Sequence, residues 1–349
     1  MIKRMVEAIT DKLEDIGFYT LKDSRAENTS ATSPMWRCEM LLTSRCNFRC
    51  PYCRGERGMS RDVSGDIDFD LATDVLGQWI DGGLKNVRFS GGEPTLYPWL
   101  PDLVEQCQDG DVERIAVSTN GSADKDLYDT LLDLGVSDFS ISLDSCCATF
   151  GNEMTGVKGN EWEKVVSNIR YISGRAYATV GIVVTPDSVD AARDTIIFAH
   201  GLGVSDVRVI SAAQWNEQLT GLDTLPPYVL NAHPILNYRV RHFSEQRNVR
   251  GITADDCHKC HLVKDDSVVA GEWHFPCVIA MREGAEPIGK VGPKMRQERM
   301  DWFESHDSFA DPICQKNCLD VCIDYNNKAG EFVNTLPLST GDSTNDGIA

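Results

Sequence analysis

Short apolar runs alternate with amphipathic stretches through the middle of this chain. Between Trp36 and Ser211 six runs of aliphatic and β-branched residues stand out: Cys38–Leu42, Asn86–Ser90, Arg114–Ser118, Asp138–Leu143, Thr179–Val184 and Asp206–Ile210. Each has the length and composition of a buried strand. The segments between them, such as Asp68–Asp81, Trp162–Ser173 and Val189–His200, place apolar residues at helical spacing. Regular βα alternation predicts a parallel sheet with helices outside it. Six units fall short of an eight-fold barrel, so the expected α/β architecture is a partial (β/α)6 barrel or an open doubly wound sheet. Ligands in such folds gather at the carboxyl ends of the strands.

The rhythm changes on both sides of this core, residues 36–211. Met5, Val6, Ile9, Leu13 and Ile16 fall at a helical period, and the polar stretch from Ser24 to Pro34 reads as a linker. Residues 212–256 contain Pro226, Pro227 and Pro234 and read as a connecting segment. Residues 257–334 form a small cysteine-rich C-terminal extension, in which GEWHFPC predicts a β-hairpin carrying Cys277. The tail, residues 335–349, ends in STGDSTNDGIA and is expected to be disordered.

Composition narrows the setting. The hydrophobic fraction is 42% and the charged fraction 25%, ordinary for a soluble globular chain. A net charge of −19 disfavours a nucleic-acid surface, because phosphate contacts need clustered Lys and Arg. No apolar run approaches the roughly 20 residues that span a bilayer, so no membrane partner is expected. The start MIKRMVEAITDKLEDIGF mixes acids into its apolar pattern, unlike a signal peptide. The expected location is cytoplasmic. In that reducing compartment thirteen cysteines, an odd number, point to metal ligation rather than disulfides.

The first cysteine group, CNFRCPYC, sets Cys46, Cys50 and Cys53 in a CX3CX2C spacing just after the first strand. Thiolates are the usual protein ligands of iron–sulfur clusters. Three of them on a four-iron cube leave one iron able to accept a chelating amino group and carboxylate. A share of a zinc site is the blander alternative, but tight zinc sites need a fourth ligand. The second strand ends in Ser90-Gly91-Gly92-Glu93-Pro94, where glycines permit close backbone approach and Glu93 can accept from an ammonium. A plain turn has the same residues. The third and fourth strands end in Ser118-Thr119-Asn120-Gly121 and Ser140-Ile141-Ser142-Leu143-Asp144, which suit ligand contacts or helix caps equally. Cys146 and Cys147 read as small filler. Ser211, Gln214, Trp215 and Asn216 are pocket candidates that a polar loop explains equally well.

Taken together, LTSRCNFRCPYC, FSGGEPTLYP and SISLDS resemble the radical S-adenosylmethionine (SAM) superfamily over residues 36–211. That resemblance implies a [4Fe–4S] cluster on Cys46, Cys50 and Cys53, with SAM as cosubstrate. It implies reductive cleavage of SAM to a 5′-deoxyadenosyl radical and an electron donor such as flavodoxin or ferredoxin. It places Tyr52 near the adenine, Gly91, Gly92 and Glu93 at the SAM amino group, and Ser118, Asn120 and Ser142 at its carboxylate and ribose. Gly181-Ile182-Val183 matches the family's adenine-packing stretch, and a buried strand accounts for it equally. Asp144 divides between pocket wall and helix cap.

Cys257-X2-Cys260, Cys277 and Cys314-X3-Cys318-X3-Cys322 make a second ligand set. The first three resemble the auxiliary-cluster cysteines of the molybdenum-cofactor GTP cyclase family, and the whole set resembles "twitch" or SPASM extensions. A second [4Fe–4S] cluster is therefore expected. Cys257, Cys260 and Cys277 with His258 or His261 would alternatively satisfy a zinc ion. SLDSCCATFGNEMTG is also similar to the GTP cyclases, but the chain ends in DGIA without their C-terminal Gly-Gly, so GTP is not assigned. Residues 1–35 are short for a peptide leader-binding domain, which favours a small-molecule substrate, a nucleoside or sugar. A peptide-modifying enzyme and a metal-binding regulatory protein without SAM chemistry are the alternatives.

Overall fold

The computed structural model describes residues 13, 18, 23–53, 63–157, 159–185, 188–211, 221–245 and 249–335. The expected N-terminal helix, the pocket candidates Gln214, Trp215 and Asn216, and the tail beyond residue 335 lie outside the described residues.

Six parallel strands form the core: β1 (Arg37–Thr43), β2 (Asn86–Gly91), β3 (Arg114–Thr119), β4 (Asp138–Ser142), β5 (Tyr177–Val184) and β6 (Asp206–Ser211). Helices α1 (Phe69–Asp81), α2 (Leu100–Asp109), α3 (Lys125–Asp133), α4 (Ala148–Thr155), α5 (Glu161–Ser173) and α6 (Val189–Gly201) connect them. The helix starts follow from capping chemistry. The Asp68 carboxylate accepts the Leu71 N–H at 3.0 Å, satisfying one of the donors a first turn leaves open.

One face of the strands is apolar and packs under the helices. Met40, Leu42, Val87, Phe89, Val117, Phe139, Ile141, Val180 and Val209 share one buried cluster with Val75, Leu76, Leu103 and Ile169 of the helices. The alternate residues of the same strands, such as Glu39, Arg88, Ser118 and Arg208, lie on the other, concave face. This two-faced pattern makes an open barrel wall with a polar inside.

The sheet does not close. It runs β6-β5-β4-β3-β2-β1-β7-β8-β9. Strand β7 (Asp266–Ala270) pairs parallel to β1 from Arg37↔Asp266 to Leu41↔Ala270, and turns antiparallel into β8 (Trp273–Phe275). Gly271, at φ 56°, makes the tight turn that the GEWHFPC segment requires. Strand β9 (Gly289–Lys290) ends the sheet. The connecting segment supplies α7 (Pro227–Ala232) and α8 (Pro234–Ser244). The extension adds α9 (Val278–Arg282), α10 (Met295–Ser305), α11 (Cys314–Asn317) and α12 (Asp320–Thr335).

The Ser24–Pro34 stretch is tied down rather than loose. Residues Ser24–Glu27 form a 3-10 turn, the Arg25 guanidinium lies over the rings of Trp36 and Tyr325, and Arg296 donates to the Ala31 carbonyl at 3.0 Å. Among the described residues, no helix is long and apolar enough to cross a membrane.

Candidate functional site

The loop carrying Cys46, Cys50 and Cys53 leaves the carboxyl end of β1 and is held by each of the following βα units. The Gly92 N–H donates to the Thr43 carbonyl at 2.7 Å, and the Glu93 N–H to the Arg45 carbonyl at 2.8 Å. A Cβ on Gly91 would meet the Thr43 oxygen at 2.4 Å, and one on Gly92 would meet the Arg45 oxygen at 2.2 Å. Both glycines are therefore needed for the backbone of the cysteine loop itself. Arg45 then clamps Asp66 through two hydrogen bonds of 2.9 and 2.7 Å.

The third unit braces the same loop through its side chains. Asn120 Nδ2 donates to Asn47 Oδ1 at 2.8 Å and lies 3.8 Å from Cys46 Sγ. Farther along, the Arg49 N–H donates to the Thr155 carbonyl at the end of α4 at 2.6 Å. Gly156 follows in the left-handed conformation at φ 67°, and a Cβ there would meet the Arg49 oxygen at 2.3 Å. These anchors on Thr155 and Gly156, and that of Asn47, were not among the sequence candidates. The TG pair after a short helical pattern is a C-cap signal that points to them.

Glu93 is the hub of the site. It is 1% exposed, and its Oε1 accepts from the Thr95 N–H, the Thr95 hydroxyl and the Thr119 hydroxyl at 3.1, 2.7 and 2.7 Å. Its Oε2 accepts the Asn120 N–H at 2.7 Å. Burial pushes the Glu93 carboxyl above its ordinary range, and these hydrogen bonds oppose that rise.

Tyr52 and Asp144 meet on the far side of the loop. The Tyr52 hydroxyl donates to Asp144 Oδ2, while Asp144 Oδ1 accepts the Val183 N–H at the end of β5 at 2.8 Å. Burial pushes the Asp144 carboxyl up to about 6. Burial, and then the Asp144 charge, push the Cys50 thiol up to about 12. Cys46 and Cys53 also raise that thiol, so their sulfurs lie near it. A metal that bound them would displace their protons. Of the remaining candidates, Ser118 accepts from Arg88 at 2.8 Å, and Ser142 is exposed at the carboxyl end of β4. Cys147 is exposed at the start of α4, beside the half-buried Cys146.

The C-terminal thiols form a second gathering. Burial raises Cys318 well above its ordinary range, and Cys322, Cys260, Cys314 and Cys277 add to the rise. Those four therefore lie near enough to Cys318 to disfavour its thiolate. Cys277 heads α9, its sulfur accepting the Ala280 N–H at 3.3 Å. Asn326 and Asn327 of α12 fix the other arm, accepting the His261 N–H at 2.7 Å and the Cys257 N–H at 2.6 Å. Buried Arg299, with its side chain donating to the carbonyls of Val263 and Phe275, adds a cation near Cys260 and Cys277.

Cys257 is placed differently: its sulfur contacts the Lys259 carbonyl at 3.6 Å and packs against Gly330. The zinc quartet of Cys257, Cys260, Cys277 and a histidine is not assembled. His258 instead stacks on Phe309, and His261 meets the edge of Phe303. Among the described residues, three donors converge within 4.8 Å only at His306, Asp311 and Cys314. Thiol groups at both ends are the donor type that iron–sulfur clusters take.

Residues 40–199 match the radical SAM superfamily model. A probable GTP 3′,8-cyclase of Metallosphaera sedula is 26% identical over 179 residues, which cover 51% of this chain and 56% of the relative. A GTP 3′,8-cyclase of Hydrogenovibrio crunogenus is 33% identical over 132 residues, 37% of this chain and 39% of the relative. The chain thus spans about half the length, or less, of these curated relatives. Among solved structures, Streptococcus suis SuiB bound to the precursor peptide SuiA superposes with a TM-score of 0.54 at 16% identity, covering 83% of this chain and 67% of SuiB. The enzyme anSMEcpe with bound AdoMet and a peptide does so at 0.52 and 14%, covering 86% of this chain and 96% of the other. Those two share the fold. Residues 40–199 are a radical SAM domain, a domain whose family uses a [4Fe–4S] cluster and SAM.

Proposed function

We propose, from the premise of a radical SAM domain, that this chain reductively cleaves SAM and takes a hydrogen atom from a small-molecule substrate, a nucleoside or sugar. The observation that carries the proposal is the Cys46–Cys53 loop, locked against Gly91–Glu93 and Asn120 by backbone and side-chain hydrogen bonds. A [4Fe–4S] cluster held by those thiolates would supply the electron that reductive cleavage of SAM needs.

The protein's part is to hold and orient. Cys46, Cys50 and Cys53 are the proposed ligands. Glu93 Oε1 already takes three donors, whereas Oε2 takes one, so Oε2 is the oxygen with capacity for the SAM ammonium. Asn120, Ser118 and Ser142, at the carboxyl ends of β3 and β4, are proposed for the SAM carboxylate and ribose. Tyr52, Gly91 and Gly92 complete the wall. The extension is proposed to carry the auxiliary [4Fe–4S] cluster on its cysteines. A flavodoxin or ferredoxin is the proposed reductant.

The substrate class draws on the sequence relatives, whose printed activity is on GTP. A peptide substrate is the second reading, favoured by fold likeness to peptide-bound SuiB. The test is anaerobic reconstitution, reduction with dithionite and assay for 5′-deoxyadenosine, with and without candidate nucleosides, sugars and peptides. The expected result is deoxyadenosine from the wild type and none from the Cys46→Ala/Cys50→Ala/Cys53→Ala variant. A sample with full iron and sulfide that fails to bind SAM would overturn the proposal.

A further inference from the structure

Three donors of different chemistry converge outside the radical SAM domain. His306, Asp311 and Cys314 bring a ring nitrogen, a carboxylate oxygen and a sulfur to within 4.8 Å of one another. Two independent details show that these donors are held ready. First, His306 Nε2 is buried and makes no hydrogen bond, although Asp311 Oδ2 lies 3.4 Å away. A buried polar nitrogen without a partner calls for a physical cause, and an ion is one. Second, two of the donors are held by other bonds. The His306 ring stacks on Trp302 with centroids 3.9 Å apart, and its carbonyl accepts from Lys259 Nζ at 3.0 Å. Asp311 Oδ1 accepts the Ile313 and Cys314 N–H groups at 2.7 and 3.2 Å, leaving Oδ2 toward the histidine.

We infer that His306, Asp311 and Cys314 bind a mononuclear divalent ion of the zinc class, separate from the auxiliary cluster. Zinc accepts sulfur, imidazole nitrogen and carboxylate oxygen at about 2.0–2.3 Å, so the three donors, within 4.8 Å of one another, would draw together around a tetrahedral ion. A four-iron cube is a larger body and takes thiolates. The partition leaves Cys260, Cys277, Cys318 and Cys322 as the four thiolates of the auxiliary cluster, a part that rests on the function proposed above. The ion would fasten the segment from His306 to Cys314 against the cluster-bearing helices and keep one coordination position for water.

The test uses full-length protein purified anaerobically, with zinc supplied during growth, then dialysed and analysed for metals. The expected result is about one zinc per chain in addition to cluster iron. His306→Ala and Asp311→Asn should each lose most of that zinc, at least tenfold in affinity, with cluster iron retained. Cys318→Ala should lose auxiliary iron and keep zinc. Because a variant can fail to fold, the zinc K-edge spectrum of the wild type provides a second readout: one sulfur with nitrogen and oxygen neighbours is expected. No bound zinc, or a shell of four sulfurs, would overturn the assignment, as would loss of iron from His306→Ala with zinc unchanged. Failure of SAM cleavage with the zinc present would sink the enzyme proposal and leave this site standing.

Discussion

Tyr52 and Asp144, 92 residues apart in the chain, are joined by a hydrogen bond from the phenol to the carboxylate. The same carboxylate holds the Val183 N–H at 2.8 Å. One acid therefore ties the last turn of the cysteine loop to the end of β5, on the side opposite the Glu93 hub. Tyr52→Phe leaves the shape and removes the bond. It is expected to cost about 1.5–3 kcal/mol of stability, the range for hydrogen bonds to charged groups. Chemical denaturation of the apo-protein gives the number, and an unchanged midpoint would show that the bond carries no load.

Glu93→Gln tests the hub. The amide offers one acceptor and one donor group in place of two acceptors, so a donor must face either the threonine pair or the Asn120 N–H. A buried donor left without an acceptor costs about 1–3 kcal/mol. SAM binding, followed by equilibrium dialysis, should weaken together with stability. Stability lost with SAM affinity intact would separate the structural role of Glu93 from its proposed ligand role.

Gly92→Ala is a steric test of the loop. The new methyl would meet Arg45 oxygen at 2.2 Å and Ser44 oxygen at 2.7 Å, both rigid backbone atoms. Overpacking of this kind costs about 1–3 kcal/mol. Iron retained after gel filtration should fall by the share that belongs to the Cys46 loop.

Asp206 predicts a pH dependence. It is fully buried, accepts the Ile235, Leu236 and Val207 N–H groups, and burial pushes it up to about 6. Its proton is held more tightly in the folded chain than in the unfolded one. The stability it contributes is therefore complete below about pH 4 and is lost as pH rises through about 6. Linkage puts the difference at about 3 kcal/mol. Asp206→Asn should flatten the melting temperature between those pH values relative to the wild type; a parallel curve would refute the assignment.

The strands were legible because their apolar face is continuous. Met40, Phe89, Val117, Phe139 and Val209 announce a buried strand whatever the rest of the fold does. The thiols stood out by their spacing, and reading them as cluster ligands also needed Tyr52, the place after the first strand and the resemblance. What the spacing did not carry was who touches whom. Gly91 and Gly92 read as an approach to a ligand, yet the atoms they accommodate belong to Thr43 and Arg45. Asn47 lies inside the cysteine motif, but its partner Asn120 is known only once β1 and β3 are neighbours of β2. His306 and Asp311 gave no sequence signal, since histidine and aspartate five residues apart in a polar loop are common. Their convergence on Cys314 comes from the turn after α10.

The pairing of β7 with β1 has a consequence for how the chain is made. Arg37 lies opposite Asp266, and the intervening sequence takes on the order of 10–50 s to synthesise on a ribosome. For that interval β1 has β2 on one side and an uncovered row of amides on the other, which is a template for unwanted strand addition. The nascent chain thus holds its first cysteine loop on an unfinished edge until the second cysteine group has begun to be made. Chaperone dependence and the yield of C-terminal truncations should both track that delay.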